Sequence, residues 1–156
     1  MSSQLTIRLR AATPDDAYVL AKLIDVAGEG IPSYLWTAMA GPDQTALQVG
    51  EARARRESGS FSYRNATVAE TDGEVVGMMI GYVITEPTAE ERAAIPDLPE
   101  PVRPFVELEH QSVGTFYVNA LAVLPGRRGA GVGAKLLRAA EDKARELGVR
   151  RMSIQV

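Results

Sequence analysis

Between Ala122 and Leu137 the chain reads AVLPGRRGAGVGAKLL, and this stretch restricts the available architectures more than any other. It begins inside an apolar run, GTFYVNALAVL, whose β-branched and aromatic residues predict a strand. Beyond it, Val132, Leu136, Leu137, Ala140, Ala144 and Leu147 mark one apolar stripe at helical spacing, with Lys135, Arg138, Asp142 and Arg145 on the other side. Gly148 closes that helix, and VRRMSIQV supplies another strand. Strand, turn, helix and strand make a parallel right-handed crossover unit, so the sheet must contain a parallel pair.

The turn itself holds four glycines and two arginines. Glycine permits positive φ and lets a ligand approach the backbone amides. Where a strand feeds a helix, such a turn points free N–H groups and the positive end of the helix dipole at one place. Arg127 and Arg128 add charge that no pH change removes, so a phosphate or pyrophosphate is the natural guest. The plainer alternative is a turn with glycines for tight packing and arginines in solvent.

Spacing separates three phosphate-binding patterns. A Walker loop needs Lys followed by Ser or Thr after its last glycine, whereas Gly133 precedes Ala134, Lys135 and Leu136. A dinucleotide fingerprint laid on Gly129, Gly131 and Gly133 has Pro125 to Arg128 between strand and first glycine, and Met152 to Gln155 holds no acid for the ribose. The remaining pattern, RxxGxG, fits Arg128, Gly129, Ala130, Gly131, Val132 and Gly133 without adjustment.

Upstream, LTIRLR alternates as a strand, and Thr13, Pro14, Asp15 and Asp16 then open a helix that carries Leu20, Leu23, Ile24 and Ala27 to a stop at Gly28–Gly30. IPSYLWTAMAGP and TALQVGEARARRE predict two further helices. Asp72–Gly73 between NATVAET and EVVGMMIGYVIT is a hairpin turn between antiparallel strands. Prolines 87, 96, 99, 101 and 104 among many acids make Glu86–Gln111 a long surface excursion, with one helical turn near Ala89–Ala94. The expected fold is α/β, a central mixed β-sheet flanked by helices, in one domain over residues 1–156.

Composition narrows function. With 46% hydrophobic and 24% charged residues and no apolar run of membrane-spanning length, the chain has the make-up of a soluble domain. MSSQLTIRLR has no apolar signal core, so a cytoplasmic location is expected. A net charge of −3 argues against general nucleic-acid binding. Without cysteine, and with His110 the lone histidine, no thiolate chemistry and no histidine-based metal cluster is expected.

With NALAVLPGRRGAGVGAKLL around it, the RxxGxG run resembles the acyl-CoA binding signature of the GNAT superfamily of N-acetyltransferases. IRLRAATPDDA, VAETDGEVVGMMIGY and the last helix are similar to the same family in the same order, from residue 5 to 156. The resemblance implies acetyl-CoA as cosubstrate, with the amides of Arg128, Gly129, Ala130, Gly131, Val132 and Gly133 on the pyrophosphate. Main-chain groups of Leu121, Ala122 and Val123 would face the pantetheine arm and acyl carbonyl. It also implies direct attack of a primary amine, on a small molecule or peptide, on the thioester.

Such a step needs a route for the ammonium proton, a polarised carbonyl and an acid for the thiolate. Asn119 stands where the family often has a Glu or a water chain. An amide is no base, but it can orient a water or the amine, or simply satisfy a strand splay. Glu107, Glu109 and His110 are base candidates, with Glu109 first. Tyr117 falls on the face of Asn119 by strand alternation, either lining the acceptor cleft or packing as a core aromatic with its hydroxyl at the rim. The helix with Tyr34 and Trp36, and the acids of Glu86–Glu109, are expected to shape the acceptor side. Tyr34 and Trp36 do not share a helix face, so at least one belongs to the core.

Family members usually continue past the strand resembling MSIQV with a helix, a Tyr that serves as thiol acid, and two more strands, whereas this sequence ends at Val156. Either a second copy covers the open edge, as in a homodimer, or the sequence is part of a longer protein. The alternative function is a CoA-binding regulatory or assembly module without turnover. A nucleotide-binding protein, preferring NAD or ATP, stands behind both.

Overall fold

The structure, a computed structural model, describes residues 6–155. Leu5 and Val156, which the sequence assigns to the first and last strands, lie outside the described residues. Strand β1 (Arg8–Ala11) passes through a 3-10 turn at Pro14–Asp16 into α1 (Ala17–Ala27). Thr13 and Asp16 form a capping box there, with the Thr13 N–H donating to Asp16 Oδ2 at 2.8 Å. Arg10 locks the corner by donating to both Asp16 oxygens, at 2.8 and 3.0 Å, and to Glu70 at 3.1 Å. Helices α2 (Ile31–Met39) and α3 (Ala46–Ala54) follow. Trp36 is buried and Tyr34 exposed, which settles their division between core and surface.

Strands β2 (Ala66–Thr71) and β3 (Glu74–Val83) form the expected hairpin. Asp72 and Gly73 at its tip take φ of 53° and 76°, as a type I′ turn requires. The segment from Glu86 to Gln111 departs from expectation. It carries α4 (Ala89–Ala94) at the anticipated turn, but also α5 (Arg103–His110). Pro104 sits in the first turn of α5, where the missing N–H costs nothing, so it starts the helix rather than preventing it. Glu107, Glu109 and His110 are therefore helical residues, not loop residues.

Strand β4 (Phe116–Val123), helix α6 (Val132–Glu146) and strand β5 (Met152–Ile154) complete the chain. The sheet runs in the order β1-β2-β3-β4-β5, antiparallel except for the parallel β4–β5 pair. Helix α1 covers one face, with α3 and α2 packed behind it, so that Leu20, Trp36 and Val49 share one buried cluster with Val68, Met78, Ile80, Ala120 and Ala122. Helix α6 covers the other, setting Val132, Leu136, Ala140 and Ala144 against Val76, Met79, Phe116 and Val118. Leu137 and Leu147, assigned to that apolar stripe by spacing, are instead 43% and 54% exposed at its margin. None of the helices among the described residues is long and apolar enough to cross a membrane.

One irregularity organises the centre of the sheet. Pairing of β3 with β4 jumps from Ile80–Ala120 to Gly81–Val118, leaving Asn119 as the extra residue of a bulge. Face parity reverses across it, since Phe116 and Val118 meet α6 whereas Ala120 and Ala122 meet α1. Pairing of β4 with β5 covers only Phe116–Val118, so from Asn119 onward no strand among the described residues pairs with that edge of β4.

Candidate functional site

The unpaired edge of β4 leads directly into the glycine-rich turn. Gly129 and Gly131 take φ of 88° and 82°, conformations that side chains disfavour. Gly131 is the N-cap of α6 and offers no side chain to it, so the amides of Val132, Gly133 and Ala134 remain free before the first helical bond, Lys135 N–H to Gly131 C=O at 3.1 Å. The helix can sit this close to the sheet because β3 has Gly77 beneath it. A Cβ there would come within 3.0 Å of both the Ala122 carbonyl and Val132 Cγ1.

A cavity of about 460 Å³ opens over these groups. Leu121, Ala122 and Val123 form its floor, Arg128, Gly129, Gly131, Val132 and Gly133 its basic end, and Val26, Ala27 and Glu29, at the C-terminal end of α1, a wall. Eight of the nine residues expected at an anion or cofactor site are thus brought together, and Ala130 is not among the lining residues. Arg127 lines the cavity as well, tied to Glu74 of the hairpin at 2.9 Å, while Arg128 Nε donates to the Val123 carbonyl at 3.3 Å. Glu29 is the cavity's lone acid and holds φ at 53°. A cationic turn, free helix-terminal amides and an unpaired strand edge are the complement of a long anionic ligand with an amide-bearing arm.

At the bulge, polar side chains converge on Tyr82 of β3. Its hydroxyl donates to Glu109 Oε1 at 2.7 Å and accepts from Asn119 Nδ2 at 3.1 Å. The Tyr117 ring meets the Tyr82 ring edge to face, centroids 5.8 Å apart at 81°. Burial pushes the Tyr82 phenol well above its usual range, opposed by the Ser60 hydroxyl and reinforced by the Glu109 charge. Burial, helped by the same charge, pushes Tyr117 up to about 12. Both phenols therefore stay protonated at neutral pH, and Tyr82 acts as a donor rather than a base.

The expected catalytic group, Glu109, Asn119 and Tyr117, is therefore brought together around Tyr82, with Asn119 two residues along β4 from the floor residue Leu121. Of the three upstream candidates only Glu109 has a side-chain bond into this spot. Trp36 lies in the core beneath α3 and away from the cavity lining, so it takes no part in an acceptor surface. Sequence reasoning missed Tyr82, Glu29 and the α1 wall. Tyr82 carries a signal only once the β3–β4 register is known, because it is then the residue opposite Tyr117.

Residues 34–156 match the Acetyltransferase (GNAT) family, and with most of its length matched the chain belongs to that family. No curated protein matches the sequence significantly. Among solved structures the chain is similar to an N-acetyltransferase from Staphylococcus aureus, at 20% identity and a TM-score of 0.58 over 87% of this chain and 75% of that one. It is similar to a GNAT family acetyltransferase from Brucella melitensis in complex with acetyl-CoA, at 20% identity and a TM-score of 0.56 over 96% and 75%. An aminoglycoside N-acetyltransferase in complex with CoA aligns at 13% identity and a TM-score of 0.58 over 100% and 80%. At these identities the likeness is one of fold: a mixed five-stranded sheet with flanking helices.

Proposed function

We propose that this chain is an N-acetyltransferase domain that moves an acetyl group from acetyl-CoA to a primary amine of a small molecule or peptide. The observation that carries the reading is the single cavity in which free α6 amides, Arg127 and Arg128 adjoin the unpaired edge of β4. The amides of Val132, Gly133 and Ala134, with the arginines, hold the pyrophosphate. The main chain of Leu121–Val123 pairs with the pantetheine arm as an added strand would and directs the thioester toward Asn119. An acetyl-CoA complex and a CoA complex of the same fold support this reading.

Once the ammonium has lost one proton, the neutral amine nitrogen attacks the acetyl carbon as the carbon–sulfur bond breaks, and the proton that the nitrogen then sheds goes to the departing sulfur, giving an amide and CoA thiol. Glu109 receives the incoming ammonium, Asn119 orients it or a water that carries its proton away, and Tyr117 walls the cleft as a neutral donor. Turnover is tested with a thiol-reactive chromophore: the wild-type chain releases CoA thiol from acetyl-CoA only when a primary amine is present. Saturable acetyl-CoA binding without release across spermidine, benzylamine and a lysine-containing peptide would contradict turnover and favour a CoA-responsive binding module.

A further inference from the structure

Helix α5 supplies Glu109, yet it buries none of its residues; Phe105 and Leu108 are each 47% exposed. Hydrophobic packing therefore does not set the position of that carboxylate. Among the described residues, two hydrogen bonds tie α5 to the sheet and its end: Tyr82 Oη to Glu109 Oε1 at 2.7 Å, and Gln155 Nε2 to the Phe105 carbonyl at 2.9 Å. Tyr82, by contrast, is fixed, because β3 is a central strand and the ring is braced edge-on by Tyr117.

We infer that Tyr82 is the positioning residue of the acceptor side, its hydroxyl holding the Glu109 carboxylate and the Asn119 amide together so that their free oxygens jointly receive a protonated primary amine. The inference rests on the acetyl transfer proposed above. A phenol has one proton, and at this site it goes to the carboxylate, the stronger acceptor, as the short contact indicates. Toward Asn119 the hydroxyl is then an acceptor only, which commits the Asn119 N–H₂ to it and leaves the amide oxygen elsewhere. Among the described residues Glu109 Oε2 and Asn119 Oδ1 have no hydrogen-bond partner, and neither is among the buried atoms without one, so both are open to a ligand.

Two free acceptors, one of them charged, on side chains clamped by a single hydroxyl, match an ammonium group with its three donors. They would leave a carboxylate-bearing or purely apolar acceptor unpaired against acceptors. The upward shift of the Tyr82 phenol keeps the clamp intact through neutral and mildly alkaline pH, because the hydroxyl does not lose the proton it donates.

The test is a double-mutant cycle. Wild type, Tyr82→Phe, Glu109→Gln and the double variant are assayed with acetyl-CoA and each of the three amines named above, with acetyl-CoA affinity measured separately by calorimetry. Tyr82→Phe keeps the ring and its packing. It is expected to raise KM for the amine, or lower kcat/KM, by about 10- to 100-fold, the factor for a hydrogen bond to a charged group, while the acetyl-CoA Kd stays unchanged. The double variant should lose less than the two single losses combined, since the hydroxyl acts in part through that carboxylate and in part through Asn119. Additive losses in the cycle, or an equal loss of acetyl-CoA affinity in Tyr82→Phe, would overturn the inference while leaving acetyl transfer standing. A wild-type chain that turns over none of the three amines would overturn acetyl transfer and this inference with it.

Discussion

Asp16 shows how one residue can secure a corner of the fold. Its carboxylate accepts from Arg10 and from the Thr13 backbone, and chiefly the Arg10 guanidinium holds its pKa below the usual carboxylate range despite burial. A depressed carboxylate contributes stability above its unfolded pKa, and that contribution fades as pH falls through the folded value. Asp16→Asn should therefore cost about 1.5–3 kcal/mol near neutral pH, the worth of hydrogen bonds to a charged group, and the gap to wild type should close in acid. Urea denaturation from pH 7 to pH 3 checks both the size and the closing gap. Thr13-Pro14-Asp15-Asp16 was legible as a helix start because capping is local chemistry. Arg10 as the partner was not, since its other bond, to Glu70, crosses 60 positions of sequence and exists only when β1 pairs with β2.

Helices and strands were legible in proportion to how far their own pattern decides them. The hairpin and α6 followed from turn chemistry and periodicity, whereas α5 was hidden by Pro104 and by a sequence with no buried face to mark it. Leu137 and Leu147 fit a helical stripe, but Leu137 lies to the side of the buried face of α6 and Leu147 just past its end, a boundary the spacing does not carry. Packing between helices gives a sharper test at Gly50 of α3, where an added Cβ would lie 2.5 Å from the buried Trp36 ring of α2. The indole is rigid and enclosed, so Gly50→Ala should destabilise by about 1–3 kcal/mol through overpacking despite alanine's better helix propensity. Thermal unfolding would show a lowered Tm; an unchanged or raised one would mean that α2 shifts freely. At the start of α6 the situation is reversed. A Cβ on Gly131 meets nothing within 4 Å, but φ is 82°, so the cost there is strain rather than collision. Gly131→Asn, which tolerates that conformation, should leave Tm nearly unchanged while reducing acetyl-CoA affinity at least about tenfold, about 1.4 kcal/mol; calorimetry on the folded variant reads the loss.

Taken whole, the molecule joins two half-sites along one strand. Up to and including the bulge, Tyr117, Asn119 and Glu109 each meet Tyr82; beyond it, Leu121–Val123 run toward the glycine-rich turn with no strand among the described residues on that edge. The parallel β4–β5 pair and the anion-seeking turn could be read from residues adjacent in sequence. The cavity wall at the end of α1, the bulge at Asn119 and the Tyr82 clamp could not, because each depends on strand register or on elements far apart in the chain. What unites the halves is the claim that the turn and strand edge bind acetyl-CoA, and calorimetric titration of the chain with acetyl-CoA, beside NAD and ATP, tests it most directly. Saturable binding is expected for acetyl-CoA alone. A folded chain that binds none of the three, or prefers NAD or ATP, would contradict it.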